Sequence, residues 1–174
     1  HAALARAKKM LERCSLFHSK SLSENNRTVA GVEKSFEITV GRALIRGNVD
    51  RIEVDSDGKH YIIDFKTGKK EISGDDAKTN LQLACYQLGV VLDGFEEKLK
   101  STDVTGAQLV YLASKNKSYS TREQDPLADV DATKAILEEI AVGMGGATFT
   151  ARKNDMCKQC KVKPSCPLYL EGKA

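Results

Sequence analysis

Two short acidic segments on either side of a turn constrain the fold of this chain more than any other feature. Residues 47–51 read Gly-Asn-Val-Asp-Arg and residues 63–68 read Ile-Asp-Phe-Lys-Thr-Gly. Between them, residues 55–58 read Asp-Ser-Asp-Gly, which is typical of a hairpin loop between two strands. Pairing of the strands around this loop predicts that Asp50 lies roughly opposite Asp64.

The alternation of side chains along a strand predicts where the chemistry of this hairpin is concentrated. Asp64 and Lys66 share one face, whereas Ile63 and Phe65 point to the other. Two carboxylates as close as Asp50 and Asp64 repel each other unless a cation or a proton intervenes, and their hard oxygen atoms suit Mg²⁺ or Mn²⁺. The pattern therefore indicates a divalent-metal site for phosphate chemistry. An ordinary surface ion pair on a hairpin is the alternative that the residues leave open.

The remaining sequence favours alternating strands and helices. At 174 residues the chain is long enough for one domain with a real core. Hydrophobic periodicity predicts, in chain order, a helix over 2–16, extended structure over 29–48, the hairpin, a loop over 69–79, a helix over 80–92, a strand over 106–113, a polar connection over 115–125 and a helix over 131–142. We expect an α/β fold with a central mixed β-sheet flanked by helices.

Two of these helices have a predicted apolar face. In the first helix, the apolar residues Leu4, Ala7, Leu11 and Cys14 recur at helical spacing with basic residues between them, which predicts an amphipathic helix. In the last helix the expected inward residues are Ile136, Leu137 and Ile140. Gly41 and Gly47 are expected to mark bends in the extended region.

The order of these motifs resembles the PD-(D/E)XK nuclease superfamily. A carboxylate, a strand turn and D-x-K follow one another in the sequence. The residues around Asp50 and Asp64 are similar to the motifs of the RecB-like branch. Downstream, Gln82 and Tyr86 match the Q-x-x-x-Y signature of that branch. The resemblance implies a restriction-endonuclease-like core over residues 1–150, which we expect to lack an upstream segment, and a separate cysteine-rich tail over 151–174.

The resemblance also implies roles for individual residues. Asp50, Asp64 and the backbone carbonyl of Phe65 would bind Mg²⁺ or Mn²⁺, and Lys66 would orient or help to deprotonate the attacking water. Glu33 would be a further ligand or would orient Arg51. Gln82 and Tyr86 would contact the DNA backbone or the active site, although an exposed polar helix edge is the plainer alternative.

The implied function is Mg²⁺-dependent, exonuclease-type hydrolysis of DNA. The tail is similar to the ending of AddB- and AdnB-type helicase-nucleases, so the expected partners are DNA and the remainder of a helicase-nuclease that processes double-strand breaks. The chain contains no phosphate loop of its own. The alternative is an inactive nuclease-like module that binds DNA or supports assembly.

Three cysteines near the C-terminus predict a second metal centre. Cys157, Cys160 and Cys166 have a spacing used both by zinc knuckles and by iron–sulfur clusters, and both centres need a fourth ligand. The resemblance favours a [4Fe–4S] cluster. Cys14 is a candidate for the fourth cysteine, but the resemblance favours one outside this chain. An odd total of five cysteines without a secretion signal indicates a reducing compartment, and we expect a cytoplasmic location without a membrane partner.

One element of the RecB-like pattern has no match. That branch carries a histidine on a helix upstream of the first aspartate, and His18 lacks its glycine neighbour, so we interpret His18 as ordinary surface. A start at His1 without methionine suggests a fragment, and the upstream histidine is expected in a missing segment. A formal charge of +3 is too small to identify a nucleic-acid binder, so any DNA affinity must come from local patches.

Overall fold

The computed structural model describes residues 2–116 and 118–171, with the side chain of Asp155 excepted, so His1 and the last three residues of the predicted tail lie outside it. Its elements are α1 (Ala2–Glu24), β1 (Thr28–Val40), β2 (Ala43–Val54), β3 (His60–Lys66), α2 (Gly74–Lys78), α3 (Leu81–Val91), β4 (Val104–Tyr111), β5 (Ser120–Gln124), α4 (Val130–Met144), two 3₁₀ helices (Asp155–Gln159 and Lys163–Ser165) and α5 (Pro167–Leu170).

The five strands form one mixed sheet in the order β1-β2-β3-β4-β5. Neighbouring strands are antiparallel except β3 and β4, which are parallel. A parallel pair needs a crossover connection, and α2 and α3 supply it. The predicted α/β class with a central mixed sheet flanked by helices is confirmed.

The hairpin between β2 and β3 forms as predicted. Arg51 pairs with Ile63 across the two antiparallel strands. Continuing this register by one residue brings Asp50 opposite Asp64. The turn is fixed by Asp55, whose Oδ1 accepts hydrogen bonds from the backbone N–H groups of Asp57 at 3.0 Å and Lys59 at 2.9 Å. Such side-chain bonds to the backbone two to four residues ahead stabilise a tight turn.

Apolar side chains cover both faces of the sheet. The larger cluster packs under α3 and includes Phe36, Ile38, Val49, Ile52, Ile62, Leu83 and Leu88. The smaller cluster packs under α1 and comprises Phe17, Tyr61, Ile63, Val110 and Leu112. Strand β3 contributes to both clusters, which buries it on two sides and holds its end rigidly.

The first helix is longer than predicted and buries a different face. It continues to Glu24, and Leu4 and Leu11 are 73% and 70% exposed. The side chains it buries are Arg13, Phe17 and Ser21. The ring of Phe17 packs edge-on against the ring of Phe65, with 5.6 Å between the centroids. This contact fixes the rotation of α1 about its own axis, so Leu4 and Leu11 face outward.

Two segments predicted to be irregular contain regular structure. The loop predicted over 69–79 contains α2, which begins with a capping box between Ser73 and Asp76. The connection predicted over 115–125 contains the edge strand β5. A polar edge strand lacks the apolar alternation that identifies a buried strand, which explains why it was missed.

Two further local predictions are wrong. In α4, Leu137 is buried but Ile136 and Ile140 are 48% and 40% exposed, because the helix rests on the sheet through a narrow strip. Gly41 occupies the β1–β2 turn with φ +55°, as expected, whereas Gly47 lies inside β2. A Cβ at Gly47 would lie 2.7 Å from the ring of Phe36, so this glycine serves close packing instead of a bend.

No helix in the described ranges combines the length and apolar character that crossing a membrane requires.

Candidate active site

The carboxylate of Asp50 lies against the neighbouring strand of the hairpin. Its Oδ2 accepts a hydrogen bond of 2.7 Å from the backbone N–H of Phe65, the residue between Asp64 and Lys66. Asp50 is half-buried and its Oδ2 is fixed by this bond. The two acidic segments therefore meet at the end of β3, as the hairpin predicts.

Asp64 and Lys66 form a tight ion pair on the face of β3 that points to α3. The Nζ of Lys66 lies 2.7 Å from Oδ2 of Asp64, and the two side chains are 31% and 5% exposed. Oδ2 is fully buried and has no hydrogen bond of good geometry. The Nζ of Lys66 also donates to Oε1 of Gln82 at 2.8 Å, so the ammonium is held between a carboxylate and an amide.

Helix α3 supplies two further partners of Asp64. The Nε2 of Gln82 donates to Oδ1 of Asp64 at 3.1 Å and to the hydroxyl of Tyr86 at 2.8 Å. The hydroxyl of Tyr86 donates to the same Oδ1 at 3.3 Å. Asn80 caps the helix start by accepting from the N–H of Leu83, which fixes the first turn. The structure thus brings Gln82 and Tyr86 to Asp64, and their contact with DNA stays a prediction.

The electrostatics of the site follow from burial. Burial raises the pKa of Asp64, the hydrogen bond and charge of Lys66 oppose that rise, and the nearby carboxylate of Asp50 adds to it. Burial also raises the pKa of Tyr86 to about 12, so this phenol keeps its proton at neutral pH. Lys66 therefore offsets only part of the cost of burying an ionised Asp64.

The donor set fits a hard divalent cation. Asp64 has a fully buried oxygen that is paired with the Lys66 ammonium, and Asp50 adds a second carboxylate nearby. In the described part of the chain, no three His, Cys, Asp or Glu side chains come together as a metal cluster. Mg²⁺ usually keeps several waters and takes one or two carboxylates together with substrate phosphates, so the two carboxylates are compatible with such an ion. The carbonyl of Phe65 as a further ligand stays a prediction.

Glu33 does not join this group. It is exposed on β1 with φ +50°, and it makes no hydrogen bond or ion pair with any described residue. The carboxylate that holds Arg51 is Glu53, at 2.5 Å, so the expectation that Glu33 orients Arg51 is wrong. Glu33 as a metal ligand stays a prediction without support from its position.

His18 belongs to a network that sequence reasoning missed. It is exposed, as expected, but it lies within α1, and its Nδ1 is 2.9 Å from Nη2 of Arg51. Next to it, Ser21 donates to the fully buried Glu53 at 2.5 Å. The sequence feature that could have indicated this network is the pair of charged residues Arg51 and Glu53, which lie on the face of β2 opposite to that of apolar Ile52.

The tail cysteines are not assembled into a centre. Cys157, Cys160 and Cys166 are free thiols, and Sγ of Cys157 accepts from the N–H of Asn154 at 3.3 Å. Cys14 is half-buried against the cluster under α1. A fourth ligand and the bound cluster stay predictions.

Comparison with known proteins agrees with the geometry. The solved structure entitled "Crystal structure of SSO0001" is similar to this chain, with a TM-score of 0.51 and 20% sequence identity over 97% of this chain and 71% of that one. At this identity the likeness shows the fold alone. No curated protein matches the chain. The sequence model of the PD-(D/E)XK nuclease superfamily matches residues 1–167, and this chain belongs to that superfamily.

Proposed function

We propose that this chain hydrolyses phosphodiester bonds of DNA in a divalent-metal-dependent reaction at Asp50, Asp64 and Lys66. The observation that carries the proposal is the buried Asp64 carboxylate, whose fully buried Oδ2 is paired with the Lys66 ammonium at 2.7 Å. A carboxylate and an ammonium held this rigidly next to a second carboxylate, Asp50, suit binding of a cation and an anionic phosphate together.

Each residue has a distinct role in this reaction. Asp50, Asp64 and the carbonyl of Phe65 would hold Mg²⁺ or Mn²⁺. When bound, such an ion stabilises negative charge on the phosphate and lowers the pKa of a bound water. Lys66 places a positive charge beside the same phosphate oxygens and orients the attacking water. Gln82 fixes the Lys66 ammonium through Oε1 and the Asp64 carboxylate through Nε2, which preserves the geometry.

The direct test is cleavage of labelled single-stranded DNA in Mg²⁺ or Mn²⁺. Asp64→Asn is expected to lower turnover by at least about a hundredfold because it removes a metal ligand. Asp57→Asn in the exposed hairpin loop is the matched control and is expected to cut like the wild type. Undiminished turnover by Asp64→Asn would refute the proposed assignment.

A second candidate is a nuclease-like module that holds DNA without cutting it. The described residues offer two carboxylates and no third metal-binding side chain in one cluster, which favours this alternative. Binding of DNA in Ca²⁺ without any cleavage in Mg²⁺ or Mn²⁺ would support the holding module. Metal-dependent cleavage would exclude it.

We also infer an affiliation with RecB-like, AddB/AdnB-type helicase-nucleases that act in the cytoplasm on double-strand breaks. The Q-x-x-x-Y residues support it because Gln82 and Tyr86 both contact Asp64. An exonuclease of this kind should degrade linear single-stranded DNA and spare a circular strand of the same sequence. Equal degradation of both would contradict the exonuclease assignment.

We further propose that the tail over 151–174 is a separate metal-binding unit. Cys157, Cys160 and Cys166 supply three thiolates at a spacing suited to a metal. The tail must rearrange to use them, since they form no cluster in the described residues. Anaerobically purified protein with iron and a broad absorbance near about 400 nm would support a [4Fe–4S] cluster, and stoichiometric zinc without iron would contradict it.

A further inference from the structure

A cavity of about 390 Å³ lies between α1 and the carboxyl ends of β3 and β4. We call it the cationic cavity because Arg6, Lys9, Arg13 and Lys69 line it, whereas no carboxylate does. Arg6, Lys9 and Arg13 share one face of α1, and Lys69 comes from the segment after β3. Its size is that of an ordinary small-ligand site.

Arg13 is a buried cation without a counterion. It is 6% exposed, and its two terminal nitrogens donate to the carbonyls of Leu112 at 2.7 Å, Ser114 at 3.0 Å and Asn116 at 2.5 Å. Its Nε is buried without an acceptor, and no carboxylate of the described residues pairs with it. A buried charge without a partner is costly, so a bound anion would offset that cost.

The other cations of the cavity are also not neutralised. The Nη2 of Arg6 donates to the carbonyl of Thr67 at 2.6 Å, and neither Lys9 nor Lys69 forms an ion pair with a described residue. Two carboxylates lie near the cavity: Glu71 hydrogen-bonds to Ser114 and is itself paired with Arg122 at 2.9 Å, and Glu12 lines an adjoining pocket with Lys9 and Arg13 without an ion pair to either. The cavity therefore combines four positively charged side chains, and none of them forms an ion pair with a carboxylate of the described residues.

The cavity adjoins the end of the strand that carries the candidate active site. The N–H of Leu112 in the cavity wall donates to the carbonyl of Lys66 at 2.9 Å, and Arg6 contacts Thr67, the next residue. The cavity lies on the α1 face of β3, whereas the side chains of Asp64 and Lys66 lie on the α3 face. A chain of phosphates that passes around this end of β3 would meet both places.

We propose that the cationic cavity binds a backbone phosphate of a single nucleic-acid strand and positions a neighbouring phosphodiester at Asp64 and Lys66. The inference rests on the proposed nuclease function. Phosphate suits the cavity because arginine presents a fork of donors and lysine a mobile point charge to phosphate oxygens. Such contacts carry no sequence information, so the anchoring is independent of base identity.

Binding of a labelled oligothymidylate in Ca²⁺ tests the inference in the Asp64→Asn background, where no cleavage interferes. The double variant Lys9→Gln/Lys69→Gln removes two cavity charges. Its matched control, Lys8→Gln/Lys59→Gln, removes two exposed lysine charges, one on α1 and one at the opposite end of β3. Since all four side chains are exposed, both variants should keep the circular dichroism and melting midpoint of the parent.

We expect the cavity variant to bind about tenfold more weakly than the control at low salt. The slope of log K against log salt concentration should fall by about 0.7, because the cavity holds one phosphate and a lost single-strand phosphate contact removes about 0.7. Equal affinity and equal slope for the two variants would overturn the inference. Failure of the proposed nuclease function would appear separately, as absent Mg²⁺- or Mn²⁺-dependent cleavage by the wild type.

Discussion

Two buried carboxylates, each paired with one cation, lie on opposite faces of the same hairpin. Under α1, Glu53 is fully buried, with Arg51 at 2.5 Å and the hydroxyl of Ser21 at 2.5 Å. Under α3, Asp64 is nearly as buried, with Lys66 at 2.7 Å. The first pair is enclosed by a helix that packs over it, whereas Lys66 of the second is 31% exposed.

The difference between the pairs lies in what surrounds the acid. Each oxygen of either carboxylate has a neighbour in the fold: Arg51 or Ser21 for Glu53, and Lys66 or the α3 side chains for Asp64. The described contacts of Glu53 are with a cation and a hydroxyl donor. Asp64 instead has a second carboxylate nearby, and that charge adds to the rise in its pKa. A pair that is complete in itself stabilises the fold, whereas a pair with excess negative charge can bind a further cation. This difference supports a structural role for Glu53 and the proposed metal-binding role for Asp64.

The largest effect that separates the pairs is expected for Lys66→Met. Loss of a positive charge at the reacting phosphate should lower kcat by about a hundredfold to a thousandfold. Lys78→Met is the control, because Lys78 also forms a lysine–aspartate pair at 2.8 Å but lies on the surface. Rates of DNA cleavage in saturating Mg²⁺ measure the effect. Cleavage by Lys66→Met at the rate of the control would show that the Lys66 ammonium has no role in the reaction.

The next largest effect concerns the structural pair. Glu53→Gln leaves Arg51 as an uncompensated buried charge and should lower the free energy of unfolding by about 3 kcal/mol. Glu37→Gln breaks the exposed pair with Arg46 and should cost about 0.5 kcal/mol. Urea unfolding measures both. Similar costs for the two variants would show that the buried pair is not a structural anchor.

A smaller effect is expected for Tyr86→Phe. The variant removes the hydroxyl that donates to Asp64 at 3.3 Å and accepts from Gln82 at 2.8 Å. Loss of such hydrogen bonds is worth about 1 kcal/mol, which corresponds to a roughly fivefold lower cleavage rate. Tyr119→Phe, on the opposite face beside Phe17, is the control. A Tyr86→Phe variant with the wild-type rate would leave this hydroxyl without a role in the site.

The smallest expected effect is a pH dependence of stability in EDTA. Because the pKa of Asp64 is raised above its ordinary value of 3.8, the native state holds this proton more tightly than the unfolded chain. The stability from the neutral acid is present below pH 3.8 and is lost as pH rises through the folded pKa. Asp64→Asn has no ionisable carboxyl group at this position, so its stability does not fall in this way as pH rises. Its stability relative to the wild type should therefore increase as pH rises, and a constant difference would contradict the raised pKa.

The hairpin with its acidic residues was predictable because its signals are local. The Asp55 turn and the alternation of Asp64, Phe65 and Lys66 depend only on neighbours in sequence. The partners of Asp64 on α3 were available only through the family resemblance, because Gln82 is eighteen residues away and no periodicity links it to β3.

The α1 face was not predictable, because the helix packs through Phe17 while two leucines remain outside. Periodicity counts apolar residues and gives no weight to buried polar ones such as Arg13 and Ser21. Their burial depends on carbonyls and a carboxylate supplied by distant strands. The cationic cavity could not be predicted from the sequence either, because its walls come from segments that are distant in sequence.

Calorimetric titration of Mn²⁺ into the protein measures whether Asp50 and Asp64 together bind one divalent ion. We expect one bound ion in the wild type and in Asp57→Asn, and an affinity at least about tenfold weaker in Asp50→Asn and in Asp64→Asn, because each substitution removes a charged oxygen ligand. Mn²⁺ binding of unchanged affinity in both site variants would contradict this expectation.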